Sequence, residues 1–128
     1  MITITTQRPT VAQFRGLIEA SGLHRPTTTA HLSGMLTGGD ALFTAWEGAE
    51  LVGMIRALTD HADVVYVADL AVAETYWHQG IGRQLMAALT NALGDELNYV
   101  LLASPQAKDY YQHLGFTAHP RGFFKPAH

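Results

Sequence analysis

Residues 64–103 hold the pattern that most limits the folds open to this chain. VVYVADLAV (64–72) is short, apolar and rich in β-branched residues, as a strand is. After a loop through Trp77 the spacing changes. Ile81, Leu85, Met86, Leu89 and Leu93 form one helical stripe from about Gly80 to Leu93, and Gly94 is placed to end it. NYVLLA (98–103) is again a short apolar run, suited to a buried parallel strand. A strand, a helix and a strand in that order predict a right-handed crossover between parallel neighbours.

The flanking sequence completes an α/β (α+β) mixed sheet. ITITT (2–6) alternates as a strand, and Val11, Phe14, Leu17 and Ile18 keep helical spacing from Pro9 to about Ala20, where Gly22 stops the helix. A loop, LHRPTTT, leads to a second helix over about Thr29–Leu36, closed by Gly38-Gly39. ALFTAW (41–46), LVGMIRAL (51–58) and 64–72 are separated by turns at Glu47-Gly48 and 60–63, which predicts an antiparallel meander. Pro105 opens a helix through Leu114, Gly115 ends it, and FTAH and GFFK are read as a last short hairpin. The expected order is β-α-α-β-β-β-α-β-α-β-β, one domain over residues 1–128, long enough to bury a core unaided.

Composition removes several functions. Eight basic residues against eleven acidic ones give a formal net charge of -3, against the basic footprint that nucleic-acid binding needs. The absence of cysteine excludes disulfides, a thiolate nucleophile and Cys-ligated metal. Seven histidines include no H-E-x-x-H and no close pair, so no metal is expected; His24, His113 and His119 are read as surface residues and Trp46 as core. The start, MITITTQRPT, lacks a signal-peptide pattern, and no apolar run is long enough to span a membrane, so a cytoplasmic location is expected.

Gly80 and Gly82 stand where the third helix begins, although glycine costs a helix interior about 1 kcal/mol relative to alanine. A strand, a glycine turn and a helix N-terminus make an anion site, because the first amides have no internal partner and the dipole is positive there. Arg83 adds a charge. Alternatively, Gly80 ends a turn and Gly82 lets the helix pack on the sheet. No Gly-Lys-Ser/Thr follows, and W-x-x-G-x-G is not the dinucleotide fingerprint, which leaves a coenzyme A pyrophosphate or no ligand.

VADLAVAETYWHQGIGRQLMAAL followed by YVLLASPQAKDYYQHLGF resembles the GNAT superfamily of N-acetyltransferases along essentially the whole element order. Trp77-x-x-Gly80-x-Gly82 is similar to its acetyl-CoA motif, Gln/Arg-x-x-Gly-x-Gly/Ala. Ala107-x-x-Tyr110-Tyr111-x-x-Leu114-Gly115-Phe116 is similar to its penultimate helix and following strand. The resemblance implies that acetyl-CoA is the donor, with its pyrophosphate on the backbone amides of Gln79, Gly80, Ile81, Gly82 and Arg83. It implies that Leu70, Ala71 and Val72 pair through their backbones with the pantetheine arm where strands 64–72 and 98–103 splay apart. Trp77, His78, Ser104 and Ala107 complete the implied cofactor set, and Tyr111 matches the tyrosine that protonates the departing thiolate. Trp77 stands where the family has Gln or Arg, and Ser104 where it often has Asn.

An amine with a lysine-like pKa near 10.4 is almost wholly protonated at pH 7, so a base or a desolvated acceptor site must free its lone pair. Asp69 is the candidate base: alternation places it with Val65, Val67 and Ala71, opposite Leu70. A carboxylate there either handles the amine's proton or is bonded to a neighbouring loop. The expected activity is acetyl transfer to a primary amine of a small molecule or peptide in a ternary complex, with a homodimer compatible with the family. A non-catalytic acyl-CoA-binding module is the alternative; acetylation of charged tRNA is disfavoured by the acidic balance.

Overall fold

Thr10 opens the first helix with a capping box: its Oγ1 accepts from the Gln13 N–H at 3.1 Å, and Gln13 Oε1 accepts from the Thr10 N–H at 2.9 Å. The helix, α1 (Val11–Ser21), ends at Gly22 in the left-handed region, φ 77°. Thr28 caps α2 (Thr29–Gly38) by one bond, its Oγ1 accepting from the His31 N–H at 3.3 Å. The computed structural model describes residues 1–127, with strands β1 (Ile2–Thr5), β2 (Ala41–Glu47), β3 (Glu50–Thr59), β4 (Val64–Val72) and β5 (Asn98–Leu101). Helix α3 (Ile81–Leu93) links β4 to β5, and a 3-10 turn at Pro105–Ala107 leads into α4 (Lys108–His113).

The strands lie in sequence order, β1-β2-β3-β4-β5, antiparallel except for the β4–β5 pair joined through α3. Two apolar cores flank the sheet. Phe14, Leu17 and Ile18 of α1 and Leu32 and Leu36 of α2 pack on Met54, Trp46 and Ala71. Ile81, Leu85, Met86 and Leu89 of α3 pack on Ala45, Ile55, Val65 and Val67. Trp46 is core, as its apolar setting in β2 suggests, and its Nε1–H donates to Thr44 Oγ1 at 2.8 Å.

Two expectations need correction. The C-terminal hairpin is absent: none of residues 116–127 belongs to a strand, and Phe123 is 95% exposed. Pro120 and Pro126 remove ladder donors, and β5 stops at Leu101, so nothing long enough is offered for pairing. Asp69 also does not share a face with Val65 and Val67. The β3–β4 register shifts between Arg56 and Ala57, with Arg56 opposite Asp69 and Ala57 opposite Val67. The extra residue, Ala68, turns the strand over. Val65 and Val67 face α3, while Asp69 and Ala71 face α1 and α2.

Candidate functional site

The bulge and the end of β5 open one gap in the sheet. Parallel pairing covers Val64–Val67 against Asn98–Leu101, and Ala68 belongs to neither ladder. Beyond it, among the described residues, the outer edge of β4 has no strand beside it. The Ala73 N–H donates to the Val52 carbonyl at 2.9 Å, so alternation turns the peptide groups of Ala71 toward β3 and those of Leu70 and Val72 toward the gap. Leu70 and Val72, rather than all three residues, therefore present backbone groups there. The Val72 carbonyl accepts from Trp77 Nε1 at 2.6 Å, which gives the half-exposed indole a definite place beside the gap.

Helix α3 begins next to this edge. Gly80 caps it at φ 81° with no side-chain cap, and His78 precedes it at φ 67°. The first helical bond runs from the Gln84 N–H to the Gly80 carbonyl at 3.0 Å, leaving the amides of Ile81, Gly82 and Arg83 without a backbone acceptor among the described residues. A Cβ on Gly80 would meet nothing within 4 Å, so its requirement is the left-handed turn. A Cβ on Gly82 would run into the Tyr110 hydroxyl, with Cζ of that ring 3.2 Å away. Gly82 thus admits α4, not the sheet. The glycine that lets α3 close on the sheet is Gly53, whose Cβ would stand 3.1 Å from Leu85 Cδ1 and 3.2 Å from Ile81 Cγ2. Arg83 is exposed, and its Nη2 donates to the His113 carbonyl at 3.3 Å, tying α3 to the end of α4.

Tyr111 is half-buried, edge-on to Tyr110 (centroids 5.5 Å apart) and to Phe116 (5.9 Å). Burial, reinforced by the Tyr110 hydroxyl and the Asp69 carboxylate, pushes its phenol above the ordinary tyrosine value, so it carries its proton at neutral pH. Tyr110 is also raised, by burial, with Arg83 opposing. Gln79 and Ser104 are exposed, and Ala107 is half-buried with its N–H bonded to the Ser104 carbonyl at 3.0 Å.

On the α1–α2 side, Asp69 is fully engaged. Oδ1 accepts from Arg25 Nη2 and Oδ2 from Arg56 Nε, each at 2.6 Å, and its side chain has no exposed surface. Arg25 comes from the loop between α1 and α2; its Nη2 also donates to the carbonyl of the bulge residue, Ala68, at 3.1 Å, and its Nη1 to the His24 carbonyl at 2.6 Å. One arginine therefore fastens that loop to the irregular point of β4. A cleft of about 540 Å³, lined by residues including Ile18, Leu23, His24 and Arg25, lies beside it.

The family model described as "Acetyltransferase (GNAT) domain" matches residues 38–118, which include the bulge, the gap, the α3 N-terminus and Tyr111. The chain belongs to the GNAT acetyltransferase family. Among relatives of this GNAT chain, GCN5-related N-acetyltransferase 2, chloroplastic, of Arabidopsis thaliana is 37% identical over 102 residues, 78% of this chain and 39% of the relative. Histone acetyltransferase TAP1 of Glycine max is 38% identical over 88 residues, 64% of this chain and 38% of the relative. The chain thus spans about two fifths of the length of the first curated relatives it matches. The GNAT fold recurs in a probable acetyltransferase of Staphylococcus aureus (TM-score 0.87, 22% identity, 99% and 100% of the two chains). It recurs also in the aminoglycoside N-acetyltransferase AAC(6')-Iy, solved with a CoA-containing bisubstrate analogue (TM-score 0.72, 23% identity, 100% and 99%). Acetyl-CoA is the acetyl donor of this family.

Sequence reasoning missed Arg25, Arg56 and Gly53. Arg25 sits in a threonine-rich loop 44 residues from Asp69, and no local spacing links the two. Arg56 had a weak signal, a lone cation inside the otherwise apolar run LVGMIRAL.

Proposed function

We propose that this GNAT chain transfers the acetyl group of acetyl-CoA to a primary amine of a small molecule or peptide, by direct attack while both are bound. The observation that carries the reading is the unpaired edge of β4 beyond Val67 lying beside three free amides at the start of α3. The residues present fit the donor. The Ile81, Gly82 and Arg83 amides, with the Arg83 guanidinium, suit a diphosphate, and the Leu70 and Val72 peptide groups suit an extended amide-bearing arm. Trp77 either shares the Val72 carbonyl with that arm or moves aside for it. When bound, acetyl-CoA supplies an activated thioester carbon for the amine and a thiol leaving group.

Tyr111 holds the proton for the departing sulfur, since its raised pKa keeps the hydroxyl protonated. A thiol has a pKa near 8.5, so this help is useful but not indispensable. We assign Asp69 to positioning and not to proton removal, because both its oxygens already accept from arginines. Asp69 holds the Arg25 and Arg56 guanidiniums in place, and the amine gives up its proton to solvent. Relatives named as N-acetyltransferases and as a histone acetyltransferase support an amine acceptor.

Titration calorimetry with acetyl-CoA, followed by thiol release over an amine panel, tests the proposal. Saturable binding and amine-dependent release are expected. Binding without release from any amine would instead support an acyl-CoA-binding module, and absence of binding would overturn both.

A further inference from the structure

The arginine pair beneath the α1–α2 loop is built for more than holding Asp69. Two guanidiniums face one carboxylate, so the cluster carries a net charge of +1 by count. Among the described residues no other carboxylate is paired with either arginine. Glu19 and His24 are exposed at the cleft, and the Asp40 carboxylate accepts from the Thr59 N–H at 2.8 Å.

Arg56 is the unusual member. Its side chain is only 11% exposed, pressed under Gly39, where a Cβ would stand 3.0 Å from its Cγ. Its Nε serves Asp69, yet Nη1 and Nη2 have no acceptor among the described residues. Among the described residues no buried side-chain nitrogen or oxygen lacks a partner, so the residual exposure of Arg56 includes those two atoms. A nearly buried guanidinium thus keeps two unused nitrogens with some residual exposure, on the sheet face that carries the α1–α2 loop and beside the β4 bulge. A guanidinium fork matches a carboxylate with two parallel bonds, while a second cation placed there would be repelled.

From this we infer that the acceptor carries a carboxylate as well as its amine, as an amino acid or a peptide with a free C-terminus does, and that Arg56 is the specificity residue that grips it. The inference rests on the transferase reading above, and it deepens that reading by naming the acceptor's chemical class.

The test compares glycylglycine with glycylglycinamide, whose amino groups differ little while one carries a carboxylate. Acetyl-CoA-dependent thiol release should show kcat/KM about tenfold or more in favour of glycylglycine, carried mainly in KM. Arg56→Gln should bring the ratio close to one without loss of acetyl-CoA binding, and Arg56→Lys should restore part of it. If Arg56→Gln fails to fold, the wild-type protein still decides: N-acetylglycylglycine should compete with the amine, and its C-terminal amide should not. Equal or greater turnover of glycylglycinamide would overturn the carboxylate inference and leave the transferase reading intact. Absence of both acetyl-CoA binding and thiol release would overturn the transferase reading, and this inference with it.

Discussion

Gly82→Ala asks what the second motif glycine is for. The added Cβ would overlap the Tyr110 hydroxyl, so the ring must leave the α3 N-terminus. Tyr110 is 40% exposed, and a packed tyrosine buries 150–250 Å², so swinging out uncovers roughly 100 Å². At about 25 cal/mol per Å² that costs roughly 2.5 kcal/mol. Alanine's better helix propensity returns up to about 1 kcal/mol, which leaves a net loss of about 1–2 kcal/mol. In a Tyr110→Ala background the same substitution meets no ring and should be neutral or stabilising by up to about 1 kcal/mol. Urea denaturation of the four proteins in this cycle reads the effect as a reversal of sign. Acetyl-CoA titration of the double variant then separates packing from ligand approach: affinity near the wild-type value assigns the glycine to Tyr110. A loss of equal size in both backgrounds would refute the packing argument.

Tyr111→Phe should lower kcat several-fold while acetyl-CoA binding persists; an unchanged kcat would end the proton-donor assignment. Because burial raises its folded pKa above the ordinary 10.0, the stability Tyr111 contributes is complete below pH 10 and is lost as pH climbs through the raised value. Tyr111→Phe should therefore flatten the alkaline limb of a stability–pH curve. Asp69→Asn should cost about 3 kcal/mol, the lower end for breaking a buried ion pair since Arg25 is partly solvated, and a Tm within experimental error of wild type would contradict the pairing. The Asp60 carboxylate accepts the N–H groups of Ala62, Asp63 and Val64, which hold its pKa at about 2. A lowered folded pKa means its stabilisation is present above about pH 4 and fades as pH falls toward 2, so NMR titration should find Asp60 still ionised at pH 3 and Asp60→Asn should remove that acid-side loss.

Local pattern carries a good deal of this molecule. Periodicity and stop signals place α1 to α3 and the meander to within a few residues, because apolar spacing and Gly22, Gly80 and Gly94 act through the chain's own backbone. The parallel β4–β5 pair follows from the crossover between them. The terminal hairpin does not form, since a strand needs a partner edge as well as an alternating sequence, and β5 ends too early to provide one.

The side-chain chemistry was decided in three dimensions. Counting by twos puts Asp69 with Val65 and Val67; one bulge at Ala68, a register event between two strands, sends it to the opposite face. There it meets Arg25 and Arg56, 44 and 13 residues away in sequence. The neighbour of Gly82 is likewise a tyrosine from another helix. By itself the sequence determined the elements as far as α4, their order and the free amides at the start of α3, because these depend on contacts within a few residues. Only the tertiary structure decided which charges face each other and which backbone edge stays open, because those depend on where distant segments come to rest.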